Sequence, residues 1–410
     1  MNALPVLGKE RLVSIDIIRG FALFGIFLVN MPAFHSAYFL KSLYGIETDY
    51  TGTDYWVDLF FTLFVDMKFF TIFSFLFGLG FYIFMSRAEQ KGLKMNRLFS
   101  RRILGLLIIG GLHFVFIWFG DILHTYAITG ILLLLFYKRK IKTLIVWATV
   151  LLFITNLLFG LMMLLPNGII AEMNESSKQT YEENIDEYVG IYENAGYLEW
   201  VSYRFHNEVL TILTNLVFNM LPVLAMFLFG LAAGKAEIFK PDMNHGGFIR
   251  KVRNIALFIS IPLVIFLALY KLDIVDAGIK SDSMIQLFTS LSGVSLCFFY
   301  IFALASLLRS EVWLIRLRPL GYVGQMALTN YLSQSIVCVI LFVGFGFYGD
   351  VSLTVGTLIC LVIFTLQILF SYVWLKKFQF GPFEWIWRTI TYGKIQSLKK
   401  KDKSVGSITQ

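Results

Sequence analysis

Long, almost uninterrupted apolar stretches recur along nearly the whole of the 410-residue chain. A helix needs about 20 consecutive apolar residues to cross a hydrocarbon layer roughly 30 Å thick. The stretches follow one another with short gaps, so the chain has no room for a separate soluble core. They predict an all-α, polytopic transmembrane helix bundle with about ten spans, near residues 17–38, 56–85, 103–120, 122–137, 143–165, 208–233, 254–270, 284–308, 320–348 and 351–375.

The lysines and arginines fall almost entirely into alternate gaps between these stretches. The gaps assigned to one side of the membrane hold 28 of the 35 basic residues, those assigned to the other side hold 5, and Arg19 and Lys68 lie within spans. Because cytoplasmic loops are enriched in Lys and Arg, the basic side is predicted to be cytoplasmic. An even number of spans then places both the N-terminus and the C-terminus in the cytoplasm.

Composition supports this interpretation. Only 15% of the residues are charged, whereas an ordinary soluble domain is about 25% charged. The net charge of +8 is explained by topology and by attraction to anionic membrane lipids, so no nucleic-acid partner is expected. The three cysteines lie in apolar spans without ligand spacing, which predicts core residues rather than a disulfide or a metal site. A multi-pass membrane protein is expected.

Two regions are predicted along the chain. Residues 1–375 form the transmembrane bundle, and residues 376–410 form an interfacial helix and a basic cytoplasmic tail. Within the bundle, the acidic segment 166–207 is placed outside, and its apolar residues recur at helical spacing, which predicts an amphipathic helix. The stretch 56–85 is too long for one simple span and is expected to divide into a short interfacial helix and a span that begins near Phe69.

The first span carries three polar side chains, Asp16, Arg19 and Asn30. Ionisable groups in hydrocarbon cost several kcal/mol unless they face a partner or a cavity. Asp16 and Arg19 are three residues apart and can pair, while Arg19 and Asn30 are separated by nearly three helical turns and share a stripe. The stripe predicts a donor- or substrate-binding face. An equally good interpretation is that Asp16 and Arg19 anchor the helix start and that Asn30 hydrogen-bonds between helices.

A second polar group lies in the turn between the third and fourth spans. Asp121 and His124 are three residues apart at a helix start, where the carboxylate can orient the imidazole as a general base. An N-cap role for Asp121 and a packed His124 are the alternatives. His35, just past the first span, is expected at the same depth, so His35, Asp121 and His124 are the candidate catalytic residues. His113 lies within a span and is expected to hydrogen-bond to a neighbour.

The ninth span contains several side chains that can form hydrogen bonds. Asn330, Ser333 and Gln334 lie on one helical face. So many polar groups in one span favour a cavity-lining stripe, with Asn330 and Gln334 as substrate-binding candidates, over simple hydrogen bonding between helices.

Five motifs carry a family resemblance: Asp16-x-x-Arg19-Gly20 with Asn30 further along the same span, Phe73–Gly78, Gly120–Ala127, Ala327–Ser335 and Gly381–Arg388. They resemble the YeiB-like bacterial family, which is domain-of-unknown-function family 418. The likeness covers nearly the whole chain, and the last motif is the most specific.

The YeiB-like family is distantly similar, chiefly through the first span, to membrane acyltransferases of the acyltransferase-3 and glucosamine N-acetyltransferase groups. The resemblance implies transfer of an acyl group from a cytoplasmic acyl-CoA-type donor to an acceptor at the outer face, without a covalently bound cofactor. Arg19 would then meet a donor phosphate or order the inner mouth.

One position departs from the acyltransferase-3 pattern. That group typically has a catalytic histidine eleven residues after the arginine, where this chain has Asn30, which cannot act as a base. The N-acetyltransferase group resembles this chain in having Asn there, with its histidine in the following loop. His35 is therefore the candidate by position and His124 the candidate by chemistry.

Three functional hypotheses remain open at this point. The leading one is a membrane acyltransferase that moves an acyl group across the bilayer. The alternative is a transporter or exporter of a small or lipid-linked solute, in which the same polar groups line a path. The third is a non-catalytic scaffold, in which those groups only stabilise the bundle.

Overall fold

The chain folds as a bundle of long helices, seen in a computed structural model that describes residues 12–240 and 245–400. Its first half contains α1 (Val13–His35), α2 (Tyr38–Tyr44), α3 (Gly52–Phe64), α4 (Lys68–Gln90), α5 (Met95–Phe116), α6 (Leu123–Phe136), α7 (Ile141–Met162), α8 (Asn167–Asn194) and α9 (Tyr197–Arg204). Its second half contains α10 (Leu210–Thr214), α11 (Leu216–Lys235), α12 (Gly246–Lys271), α13 (Ser281–Leu307), α14 (Glu311–Arg316), α15 (Arg318–Gln325), α16 (Ala327–Val339), α17 (Leu353–Lys377) and α18 (Pro382–Tyr392).

The predicted fold class is confirmed. Within the described ranges, nine helical segments are long and apolar enough to cross a membrane, and α6 is a tenth, shorter apolar helix. The outer faces of α7 and α12 expose large apolar side chains such as Phe153 and Phe258. A surface of this kind belongs in hydrocarbon rather than in water. The assignment of both termini to the cytoplasm and the division at residue 375 stay predictions.

Three predicted spans differ in detail from the helices. The stretch 56–85 divides as expected, because the chain turns at Met67, whose φ is 63°, and α4 begins at Lys68. The span predicted at 208–233 begins instead as a π-helix, Phe205–Val209, followed by α10 and α11. The span predicted at 320–348 is interrupted at Met326, between α15 and α16, and it ends in a second π-helix.

Helix α1 lies at the centre of the bundle, against α4, α15, α16 and α17. It touches α15 backbone to backbone. A Cβ atom on Gly20 would lie 2.0 Å from the carbonyl oxygen of Leu320, and one on Gly324 would lie 1.9 Å from that of Asp16. Only glycine fits at these two positions, so the Asp16-x-x-Arg19-Gly20 motif is fixed in place by a segment about three hundred residues away.

The two ends of the bundle carry different charges. We term the basic end the one formed by residues 91–94, residues 138–140 and α18, and the acidic end the one formed by α2, α8 and α9. Helix α8 has the helical spacing predicted for the acidic segment, and its Tyr188 and Tyr192 pack into an aromatic cluster with Trp200 and Tyr348. Helices α8 and α9 thereby cover the acidic end.

Candidate active site

A cavity of about 320 Å³ lies among α1, α4, α5, α6, α15, α16 and α18. Its lining runs from Lys91 and Arg388 at the basic end to Ile122 and Tyr331 deeper in the bundle. Between these limits most of the wall is apolar, with aromatic rings from α4 such as Phe73 and Phe77. A concave apolar site with a few polar groups is the usual form of a small-molecule site.

The ion pair predicted on the first span lies in this wall. An Arg19 nitrogen donates to Asp16 at 2.8 Å and to the carbonyl oxygen of Gly324 at 3.2 Å, and both side chains line the cavity. Asn30 does not, because the part of α1 that lines the cavity ends at Ile26. The predicted stripe is therefore divided, and a role for Asn30 in substrate binding stays a prediction.

A buried His–Asp–His cluster lies next to the inner end of the cavity, which is the end deep in the bundle near Ile122 and Tyr331. The two oxygens of the Asp121 carboxylate contact the Nδ1 atoms of His113 and His124, at 2.7 and 3.0 Å respectively. The N-cap residue of α6 is Ile122 rather than Asp121, but Asp121 accepts the backbone N–H of His124 at 2.8 Å, so the carboxylate binds both the backbone and the ring of this histidine. All three side chains are buried.

The Nε2 atoms of the two imidazoles differ in their hydrogen-bond partners. We assign a proton to Nδ1 of both rings, because both face the carboxylate. His124 Nε2 then lies 3.1 Å from the hydroxyl of Thr125, whereas His113 Nε2 has no hydrogen-bond partner among the described residues. A histidine held by a carboxylate through Nδ1, with Nε2 available, has the arrangement of a general base.

Tyr331 connects the cluster to the cavity. Its hydroxyl accepts the backbone N–H of Ile122 at 3.2 Å and donates to the carbonyl oxygen of Gly120 at 3.3 Å. Its ring centroid is 5.4 Å from that of His113, and Tyr331 itself lines the cavity. The turn that carries Asp121 is therefore held by the ninth predicted span.

Close packing of α5 on α6 completes the cluster. A Cβ atom on Gly110 would lie 2.7 Å from the backbone nitrogen of His124, so glycine is needed for the contact. The ring of Phe114 stacks on His124 with centroids 4.1 Å apart.

His35, the candidate by position, lies elsewhere. Its ring packs near Phe342 and Gly356, and neither ring nitrogen has a hydrogen-bond partner among the described residues. The structure thus brings Asp121 and His124 together with His113 rather than with His35. The free-energy cost of a histidine within a span predicted that His113 forms a hydrogen bond with a neighbour. Periodicity could not identify Asp121 as that neighbour, because the two residues are eight positions apart and the end of α5 lies between them.

Asn330 and Gln334 join α16 to α17. The Asn330 amide donates to the hydroxyl of Ser371 at 2.9 Å, and the Gln334 amide donates to Gln367 at the same distance. The residues of α16 that line the cavity are instead Ala327, Leu328 and Tyr331. A substrate-binding role for Asn330 and Gln334 stays a prediction.

Comparison with known proteins identifies the family. A family model described as "Protein of unknown function (DUF418)" matches residues 233–394. The "Uncharacterized protein YxaH" of Bacillus subtilis (strain 168) is 33% identical to this chain, and the match covers 97% of this chain and 98% of YxaH. The chain belongs to the DUF418 family.

Two further relatives of the DUF418 chain extend over nearly the whole length. An "Uncharacterized 39.9 kDa protein in amylase 3'region" of Bacillus acidopullulyticus is 31% identical to this chain, and the match covers 97% of this chain and 99% of that one. The "Uncharacterized protein YeiB" of Escherichia coli (strain K12) is 28% identical over 397 residues, which cover 93% of this chain and 96% of YeiB. No solved structure matches the chain.

A second family model matches the other half of this DUF418 protein. Residues 11–183 are similar to a model described as "Heparan-alpha-glucosaminide N-acetyltransferase, catalytic". That range holds the Asp16–Arg19 pair and the whole His113–Asp121–His124 cluster. The DUF418 range adds Tyr331 and α18, so the cavity is built from both matched regions.

Proposed function

We propose that this DUF418 protein is a membrane acyltransferase. It takes an acyl group from an acyl-CoA-type donor that enters the cavity from the cytoplasm, and transfers the group to an acceptor at the outer face of the bacterial plasma membrane. The observation that carries the proposal is the buried His113–Asp121–His124 cluster beside the inner end of an apolar cavity. Similarity of residues 11–183 to an acetyltransferase catalytic model supports the same chemistry.

The reaction requires one base and one carboxylate. His113 Nε2 removes the proton from a hydroxyl or amino group of the acceptor as that group attacks the thioester carbonyl carbon. A new C–O or C–N bond forms and the C–S bond breaks. The proton then passes to the departing thiolate, which leaves as free CoA thiol. Asp121 stabilises the imidazolium that exists between the two proton transfers, and His124 holds the second carboxylate oxygen.

The direction of the reaction rests on charge. The basic end holds the loops rich in Lys and Arg, and such loops face the cytoplasm. The cavity lining reaches that end at Arg87, Lys91 and Arg388. The donor would therefore enter from the compartment in which acyl-CoA is made.

The experiment measures donor binding and thioester use by the purified protein. A ligand that binds only the folded state raises its apparent stability, so saturating acetyl-CoA is expected to raise the melting temperature in detergent. In proteoliposomes with glucosamine as the probe acceptor, radiolabelled acetyl is expected to move to the amino sugar with release of CoA thiol. His113→Gln is expected to slow transfer strongly and to keep donor binding.

His206→Gln is the matched control, because His206 is exposed and forms its one hydrogen bond among the described residues with the carbonyl oxygen of Ser202. No stabilisation by saturating acetyl-CoA or palmitoyl-CoA would contradict the proposal. Labelling of the Tyr331→Cys variant by a thiol reagent from both sides of the membrane would then favour an exporter.

A further inference from the structure

Charged side chains of one sign gather at the mouth of the cavity. Among the described residues, its lining contains five basic residues against two acidic ones: Arg19, Arg87, Lys91, Arg102 and Arg388, against Asp16 and Glu384. Both carboxylates already have protein partners. Asp16 accepts from Arg19 at 2.8 Å, and Glu384 accepts the backbone N–H of Leu328 at 2.6 Å and the hydroxyl of Thr329 at 2.5 Å.

Arg102 differs from the other four basic residues. The central carbon of its guanidinium lies over two aromatic rings, 3.8 Å from the ring centroid of Trp387 and 4.8 Å from that of Phe84. The indole N–H of Trp387 also donates to the carbonyl oxygen of Arg102 at 2.7 Å. The guanidinium forms no hydrogen bond and no ion pair with the described residues.

This geometry leaves the N–H groups of Arg102 available to a ligand. The cation–π contacts with the two rings use none of the five N–H donors, which lie in the plane of the guanidinium. A planar fork of donors matches two oxygens of a phosphate. Clustered cations repel one another, and a bound dianion relieves that repulsion.

We propose that Arg102, clamped by Phe84 and Trp387, binds a phosphate ester of the ligand that occupies the cavity. The inference rests on the proposed function in assigning that phosphate to the nucleotide end of an acyl-CoA-type donor. Helix α18 is then part of the donor site, because Trp387 positions Arg102 and Arg388 adds a second cation. The acyl end points in the opposite direction, towards Tyr331.

Titration calorimetry in detergent separates the phosphate end from the rest of the donor. CoA and pantetheine are the probes, and pantetheine lacks all the phosphates. Arg102→Gln is expected to weaken CoA binding about 10- to 100-fold, which is the usual effect of a hydrogen bond to a charged group, and to leave pantetheine binding unchanged. Arg102→Lys keeps the charge without the fork and is expected to have a smaller effect.

Arg101→Gln is the matched control, since Arg101 is the neighbouring cation and does not line the cavity. It is expected to bind CoA as the wild type does. Equal CoA affinity of the Arg101 and Arg102 variants would overturn the inference, and acetyl transfer by the wild type would then leave the proposed function standing. Arg102-dependent CoA binding without any transfer would contradict only the proposed function.

Measurements in nanodiscs distinguish two possible sources of the bound phosphate ester, the nucleotide end of the donor and the headgroup of a membrane lipid. CoA affinity is measured in discs of phosphatidylcholine alone and in discs that also contain phosphatidylglycerol. Similar affinity in both is expected for a nucleotide site. A strong, Arg102-dependent loss of CoA binding in phosphatidylglycerol discs would overturn the donor assignment, because the phosphate would then be that of a lipid headgroup.

Discussion

The acidic end and the basic end of the bundle use charged side chains in different ways. At the acidic end, Arg204 and Glu208 lie 2.7 Å apart with no exposed surface, and the hydroxyls of Tyr188 and Tyr192 donate to the same carboxylate at 2.8 and 2.5 Å. At the basic end, Arg102 faces a cavity without a carboxylate partner among the described residues. The first charge is neutralised within the fold, whereas the second is available to a ligand.

Arg204 is buried and Arg102 is half-buried, and the contrast shows that the partners of a charged side chain indicate whether it can bind a ligand. Removing a charge from water costs free energy. An oppositely charged or hydrogen-bonding group offsets that cost, and this group belongs either to the same chain or to a bound ligand. Arg204 also donates to the carbonyl oxygen of Phe114 at 3.3 Å, so its ion pair ties the cover at the acidic end to the helix that carries His113. Changes at the two ends are therefore expected to affect different measurements.

The largest expected effect is on the reaction itself. His113→Gln removes the proposed base and is expected to lower the acetyl-transfer rate about 100- to 10,000-fold, the usual contribution of general base catalysis. The melting temperature in detergent is expected to change little, because glutamine can still donate to Asp121. A variant that loses its fold and its activity together would assign His113 to architecture.

The next largest effect is on stability at the acidic end. Glu208→Gln leaves the charge of Arg204 buried without its counter-ion and is expected to destabilise the protein by about 3–5 kcal/mol. Denaturation in detergent measures the loss, and CoA affinity per folded molecule is expected to be unchanged. Glu182→Gln is the control, because its pair with Lys178 is exposed and 4.0 Å long, and such pairs contribute about 0–1 kcal/mol. Equal losses in both variants would contradict the comparison.

A glycine in the cavity wall allows a direct test of occupancy. Gly80 lines the cavity, and a Cβ atom there meets nothing within 4 Å. Gly80→Leu therefore extends into the space proposed for the donor and is expected to weaken palmitoyl-CoA binding about tenfold or more, the equivalent of one buried apolar side chain.

Gly111→Leu serves as its control, because Gly111 has equally open space but does not line the cavity. Titration of both variants with palmitoyl-CoA makes the comparison. Unchanged affinity in Gly80→Leu would show that the donor occupies another part of the molecule.

The smallest expected effect concerns Glu384. Burial raises the pKa of this carboxyl, although hydrogen bonds from Thr329 oppose the shift. The protonated carboxyl of Glu384 therefore stabilises the folded protein fully when the pH is below the ordinary glutamate pKa. This contribution to the free energy of unfolding is lost as the pH rises through the raised pKa of Glu384 in the folded protein. Glu384→Gln is expected to change stability by about 1 kcal/mol or less and to remove that pH dependence. A larger loss in Glu384→Gln than in Glu384→Ala would contradict this account.

Much of the bundle could be predicted from the sequence, because its physical causes are local. Apolar stretches gave the spans, and three-residue spacing predicted the contacts of Asp16 with Arg19 and of Asp121 with His124. These patterns need only one helix or one turn, so periodicity records them. The division of 56–85 followed from length and from charges in the same way.

The remaining part of the candidate site depends on contacts between distant segments. Trp387 and Arg102 are separated by 285 residues, and nothing in either local sequence indicates that they meet. The direction in which Asn330 and Gln334 point was also unpredictable, because one polar face of a helix serves a cavity or a neighbouring helix equally well. In the structure the polar face of α16 contacts a neighbouring helix, because α17 supplies Ser371 and Gln367 as hydrogen-bond partners for Asn330 and Gln334.

Helix α6 has only 14 residues, which at about 1.5 Å per residue spans roughly 21 Å, whereas the hydrocarbon layer is roughly 30 Å thick. The irregular backbone before it is shielded by protein, as Trp118 and Asp121 are buried, so non-helical structure at this depth is tolerated. Measured from the basic end, α6 therefore spans about two-thirds of the hydrocarbon thickness before the chain reaches the turn that carries Asp121. An acyl group that is carried from the basic end to this turn would cross about two-thirds of the hydrocarbon layer.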